Sequence, residues 1–282
     1  MKSRTLIFRS SKPMIPSIRQ LFPIVFLASI ATLSAMEIIA HRGASADAPE
    51  NTLAAFQLAW EQESDAIELD IHASKDGRIV AIHDPTTKRT ASAKGKVVET
   101  PLATLQKLDA GSWKGAKWKG EKIPTLDEVL ATLPAGKRVF IEIKCGPEVL
   151  PELVRVINAS RCKPEQLDII GFGYETMKQA KVALPKHQVF WITTPAKNSR
   201  GRKPGVEELI EKARAAGLDG LDLDYRFAID KEFVSAVHKA NMKLYVWTVD
   251  SPEVARRLQD AGVDGITTNR PGFLREKLSP AP

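Results

Sequence analysis

Short apolar runs alternate with amphipathic runs along most of this chain. Strands are expected at 37–41, 66–72, 138–143, 167–171, 188–192, 219–223, 243–247 and 264–267, where β-branched and other apolar residues dominate. Between them, helical spacing falls near 51–62, 125–132, 148–159, 174–183, 206–215, 230–240, 252–260 and 272–278. In the first helix Leu53, Phe56 and Trp60 share one face; Asn51 reads as its N-cap, and Glu50 and Asn51 as capping the helix, touching a metal or substrate, or both. Gly217 reads as the stop of the helix at 206–215. Eight strand–helix units predict an α/β fold, a (β/α)8 TIM barrel. A doubly wound open sheet is the weaker reading, since no Gly-rich phosphate loop follows the first strand. The phrase Ala-Gly-Leu-Asp-Gly at 216–220 returns as Ala-Gly-Val-Asp-Gly at 261–265, which supports a repeated helix-to-strand unit. Residues 84–124 break the rhythm. They are polar, carry four glycines with Trp113 and Trp118, and read as a small insertion after the second strand, packed over one end of the barrel. No linker is visible, so 36–282 is taken as one domain.

Composition changes the picture at the N-terminus. The 282 residues are 43% hydrophobic and 27% charged, ordinary for a globular protein with a full core. The net charge is +7, but residues 1–35 hold Lys2, Arg4, Arg9, Lys12 and Arg19 and no acid, which leaves +2 (7 − 5) for the rest. The basic balance therefore gives no support for nucleic-acid binding. A basic stretch, the apolar run 21–33 and the small residues Ser34 and Ala35 make an export signal, and the expected location is periplasmic or extracellular. An uncleaved membrane anchor is the alternative, though the apolar run is shorter than the roughly 20 residues of a span. A true start at Met36 is another. Two cysteines, Cys145 and Cys162, are too few for a disulfide framework and are not spaced for a metal.

The polar residues at the strand ends carry the chemistry. In Ile67-Glu68-Leu69-Asp70-Ile71, period-two alternation puts both carboxylates on one face. Glu142 and Lys144 share a face in the same way. Three hard oxygen donors on neighbouring strands suit Mg²⁺ or Ca²⁺, and inward salt bridges are the competing reading. His41 closes the first strand and His83 closes a short strand at 79–82. Two imidazoles flanking an acidic cluster can exchange protons with a nucleophile and a leaving oxygen. Arg42 and Lys144 suit a phosphate, as a planar fork and a point charge. His72 ranks below the other two histidines, and His187 and His238 read as structural. Asp222 and Asp224 repeat the strand alternation and support or ligate with equal ease. Trp247 ends the seventh strand and reads as an aromatic wall at the mouth or as core.

The segments HRGASADAPENTLAAF (41–56), ELDIHASKDGRIVAIHD (68–84), LDAGSWKGAKWKGEKIPTLDEVL (108–130) and IEIK (141–144) occur in this order. They resemble the linked motifs of the glycerophosphodiester phosphodiesterase family. That resemblance implies hydrolysis of small glycerophosphodiesters to glycerol 3-phosphate and an alcohol. It implies His41 and His83 as catalytic residues, Glu68, Asp70 and Glu142 as ligands of a divalent metal, and Arg42 and Lys144 on the substrate phosphate. It implies no stable protein partner. Thr86–Thr90 differ from the usual form, and Thr267–Pro271 lack an aspartate often found there, which bears on substrate preference. A phospholipase-D-like lysophospholipid phosphodiesterase and a non-catalytic phosphodiester-binding protein are the competing functions.

Overall fold

The computed structural model describes residues 1–2, 5–7, 36–196 and 203–279. The expected export segment, at 21–33, lies outside the described residues. Met1–Leu33 and Ser34–Pro282 are separate compact units, and every regular element below belongs to the second. Among the described residues no helix is long and apolar enough to cross a membrane.

Eight parallel strands close into a barrel: β1 (Glu37–His41), β2 (Ala66–Ala73), β4 (Arg138–Ile143), β5 (Leu167–Gly171), β6 (Val189–Thr193), β7 (Gly220–Asp224), β8 (Lys243–Trp247) and β9 (Gly265–Thr268). Closure comes from β1, which pairs with β2 at Ile39↔Ala66 and with β9 at Ile38↔Ile266. The helices that follow are α1 (Leu53–Glu61), α3 (Leu126–Ala131), α4 (Leu150–Ala159), α5 (Tyr174–Ala183), α6 (Val206–Ala215), α7 (Lys231–Lys239), α8 (Pro252–Ala261) and α9 (Pro271–Leu278). One further strand lies outside the eight strand–helix units, the short strand expected just before His83. β3 (Ile79–Ala81) runs antiparallel to β2, Ile71↔Ala81, and opens the insertion, which also holds the short α2 (Leu102–Leu105). A separate apolar cluster of Val80, Ile82, Val97, Leu105, Ala110 and Ile123 holds this insertion together.

Two local expectations are corrected. The strands expected at 188, 219 and 264 each begin one residue later. Asp219 and Asp264 sit just before the strands instead, where their carboxylates accept amides at the starts of neighbouring strands: Val189 N at 2.8 Å and Leu244 N at 2.8 Å. Asp65 does the same for Ile38 N at 2.8 Å. The repeated Gly-x-Asp-Gly phrase is thus a strand-start device. The N-cap of α1 is Thr52, whose hydroxyl accepts from Ala55 N, because the Asn51 side chain is committed elsewhere.

Strand alternation sorts the side chains into an outer shell against the helices and an inner column. Ile67, Leu69, Ile71, Val139 and Ile141 join the outer core. The inner column has a polar base where Arg138 meets Glu37, Asp168 and Tyr245. Its apolar waist is Ile39, Phe140, Ile170, Phe190, Ile192 and Tyr245. The Phe140 and Phe190 rings both stand edge-on to Tyr245, at 4.9 and 5.0 Å between centroids. Above that waist, at the C-terminal mouth, the column turns polar again.

Candidate active site

The mouth is built first by the turn after β1. Arg42 takes a left-handed backbone, φ 56°, which turns its amide back onto Glu68 Oε2 at 2.9 Å. Gly43 follows at φ 79°, and a Cβ there would lie 2.5 Å from the Ala55 carbonyl carbon. The chain can therefore pass this close to α1 only with glycine at this position. The Arg42 guanidinium ends between Glu50, at 2.9 Å, and Asp70, at 3.1 Å. Burial works against its charge, but Asp70, Glu68 and Glu50 together hold its pKa above the usual value.

Register brings the acids together. Asp70 pairs with Glu142 across β2–β4, and His41 pairs with Glu68 across β1–β2. Glu68, Asp70 and Glu142 each place one oxygen within 4.8 Å of the others, and all three are buried. Like charges directly opposed on neighbouring strands are unfavourable. Burial, then Asp70, pushes Glu142 up to about 7 even with Lys144 Nζ 2.7 Å away. Burial, then Asp70 and Glu142, pushes Glu68 well above the carboxylate range. Asp70 goes the other way. Burial opposes its charge, but Arg42, His83 and Lys144 outweigh it. Asn51 steadies Asp70 from both sides, donating Nδ2 to Oδ2 at 2.8 Å and accepting the Asp70 amide at 3.1 Å. Glu68 Oε1 and Asp70 Oδ1 have no hydrogen-bond partner. Two oxygens without a hydrogen bond in a buried, mutually repelling acid cluster fit a hard divalent cation. The Lys144 ion pairs foreseen as the alternative are present too, to Glu142 and at 3.6 Å to Asp70.

Both histidines are held through Nδ1. His41 Nδ1 lies 2.7 Å from Asn269 Oδ1, with Nε2 4.0 Å from Glu68. Burial, then Arg42, lowers its pKa to about 4, so it is neutral at neutral pH. His83 Nδ1 lies 2.7 Å from Asp84 Oδ1. Arg89 clamps that aspartate at 2.9 Å and reaches Glu50 with two further bonds, at 2.6 and 2.8 Å. The insertion thereby holds His83 over the mouth and ties it to the turn that carries Arg42. His72 turns aside to bond the His83 carbonyl at 3.1 Å. His187 contacts the Leu167 carbonyl and His238 pairs with Asp264, both away from the mouth.

A cavity of about 320 Å³ joins these parts, lined by His41, Arg42, Glu68, His83, Glu142 and Lys144 on one side. Ile170, Phe172, Ile192, Asp222, Trp247 and Thr267 line the other. Trp247 stands in this wall, edge-on to Phe172 at 5.5 Å, with its indole N–H on the Asp222 carbonyl at 3.2 Å. Asp222 is buried in the wall, whereas Asp224 pairs with Arg226. A larger groove of about 620 Å³ between α3 and α4 holds none of the histidines or clustered acids. The sequence reading missed Phe172, Arg89 and the Asn269–Asp250 pair as parts of the site. Phe172 carries no motif signal. Asn269 was visible only as a departure from a familiar pattern.

A sequence model of the Glycerophosphoryl diester phosphodiesterase family matches residues 41–273. The chain is 37% identical over 244 residues to a glycerophosphodiester phosphodiesterase of Caldanaerobacter subterraneus subsp. tengcongensis, covering 84% of this chain and 95% of that one. It is 32% identical over 255 residues to one from Bacillus subtilis, covering 84% and 85%. Among solved structures, an Oleispira antarctica phosphodiesterase in complex with the product sn-glycerol-3-phosphate aligns with TM-score 0.77. That pair is 30% identical and covers 86% and 97% of the two chains.

Proposed function

Because the chain belongs to the glycerophosphoryl diester phosphodiesterase family, we propose that it is a metal-dependent glycerophosphodiester phosphodiesterase, releasing glycerol 3-phosphate and an alcohol. The observation that carries this reading is the convergence at one mouth of three buried carboxylates, the basic side chains of Arg42 and Lys144, and two Nδ1-tethered histidines. Glu68, Asp70 and Glu142 would hold Mg²⁺ or Ca²⁺, which when bound withdraws charge from the phosphodiester. Arg42 and Lys144 grip the phosphate oxygens and stabilise their growing charge. One histidine takes a proton from the nucleophile, a water or the neighbouring glycerol hydroxyl, and the other returns one to the leaving alcohol. Trp247 and Phe172 shield one side of the cavity and pack against the non-phosphate part of the substrate. The basic-then-apolar N-terminus supports an exported enzyme.

The test is enzymatic release of glycerol 3-phosphate from glycerophosphocholine. EDTA should abolish it and added Mg²⁺ or Ca²⁺ should restore it. His41→Ala should lower turnover by about 10²–10⁴-fold with the fold intact. Turnover indifferent to EDTA would remove the metal from the reading, and an active His41→Ala enzyme would remove the histidine.

A further inference from the structure

The wall behind His41 contains a chain of polar groups that points one way. Asp250 follows β8, and its carboxylate accepts from the Thr268 hydroxyl at 2.9 Å and from the Asn269 amide at 2.8 Å. Its second oxygen, Oδ2, lies 2.7 Å from Asn269 Nδ2. An ionised carboxylate only accepts hydrogen bonds, so the Asn269 side chain presents its NH₂ to Asp250 and its carbonyl oxygen to the other side. On that side Oδ1 meets the Ser45 hydroxyl at 2.9 Å and His41 Nδ1 at 2.7 Å. A carbonyl oxygen cannot donate, so the proton in the second contact belongs to His41 Nδ1. Ser45 is held in turn, its carbonyl bonded by Lys114 Nζ of the insertion at 2.7 Å.

We propose that Asn269 and Asp250 form a tautomer lock: Asp250 fixes the amide orientation of Asn269, and Asn269 fixes the Nδ1–H form of His41. The nitrogen left facing the cavity is Nε2, with its lone pair free to take a proton. Free imidazole favours the opposite tautomer, with Nε2 protonated and unable to accept, so an unlocked His41 starts from the wrong state. Asn269 is a positioning residue, acting on the reaction only through His41. Its acceptor is neutral, whereas the Asp84 acceptor behind His83 is a carboxylate, so the two histidines have chemically different supports. The inference rests on the reading above that His41 transfers a proton.

The experiment uses the full chain labelled with ¹⁵N at histidine. Near neutral pH, His41 should show a protonated Nδ1 and an unprotonated Nε2 before any substrate is added. Asn269→Leu should shift His41 toward the Nε2–H form and lower kcat on the order of 10²-fold, with KM within about threefold of the parent. The paired exchange Asn269→Asp with Asp250→Asn keeps one carboxylate facing one amide and still offers His41 an acceptor. It should restore the Nδ1–H form and most of kcat, whereas Asp250→Asn alone, which frees the amide to turn, should not. A parent enzyme with His41 protonated at Nε2 would overturn the lock without recourse to any variant. So would an Asn269→Leu enzyme with parental kcat and an unchanged tautomer. Failure of the underlying reading looks different: there His41→Ala itself stays active, whatever the tautomer.

Discussion

Glu142 shows most plainly what burial does to a side chain here. A surface glutamate would be ionised throughout the neutral range, but desolvation and the facing Asp70 push this one up to about 7. Glu68 is also pushed well above the carboxylate range, by burial and by Asp70 and Glu142. A cation must therefore displace protons from the cluster. The sign follows: protonated forms compete with metal, so affinity rises as pH increases through about 7 and binding releases protons. Calorimetric titration of Mg²⁺ or Ca²⁺ in buffers of different ionisation enthalpy, below and above neutrality, checks this. Equal affinity on both sides with no proton release would mean that the acid cluster is already ionised without metal, and that Glu142 and Glu68 are not raised. Glu142→Gln should weaken binding by at least the roughly 10–100-fold that loss of a supporting group costs at other metal sites.

At the scale of elements, the turn from β1 into α1 does the most with the fewest residues. Gly43 lets the chain pass against Ala55, which frees Arg42 to bond Glu68 through its backbone and Asp70 through its side chain. Gly43→Ala adds a left-handed penalty to a direct clash with backbone, so it should cost about 3 kcal/mol or more by chemical denaturation and disable the site as well. Parental stability would mean that the turn relaxes easily and does not fix Arg42. The barrel, its mouth and its acid cluster were legible because period-two alternation acts within single strands. Two of the three early strand starts fall on Asp219 and Asp264, which look like strand residues until the amides they cap are known. Of the two expected roles of Asn51, the cap falls to Thr52, because the Asn51 side chain bonds Asp70 on another element. The Arg89–Glu50 clamp and the His41–Asn269 contact span 39 and 228 residues, and no local pattern encodes such pairings. The insertion has its own polar hub, Asp109, which accepts from the amides of Gly111, Ser112 and Gly120. Those bonds hold its pKa well below the usual value. This support is complete above the ordinary aspartate pKa and is lost as pH falls through the depressed one. Hydrogen exchange at those three amides should therefore lose protection in acid before the barrel strands do. Simultaneous loss would show that the insertion does not open separately.

Across the whole molecule, polar chemistry sits at both ends of one column, separated by the aromatic waist of Phe140, Phe190 and Tyr245. The two ends answer to different requirements. At the mouth the carboxylates outnumber the cations, and Glu68, Asp70 and Asp222 each keep one oxygen without a hydrogen bond, which a ligand can complete; at the base only one Asp168 oxygen is left so. At the base, Arg138 is matched by Glu37 and Asp168 and steadied by the Tyr245 hydroxyl and the Phe140 ring, 5.0 Å away. A barrel that keeps catalysis at its C-terminal face can commit its N-terminal face to stability. Arg138→Ala leaves two carboxylates against the apolar waist without their cation, and should cost about 3–5 kcal/mol of stability. Because the waist stands between, kcat/KM measured below the lowered melting temperature should stay at the parental value. Thermal unfolding together with steady-state kinetics tests both halves. A variant that melts normally would show that the base adds little stability, and one that stays folded but loses kcat/KM would show that the two ends are coupled through the column.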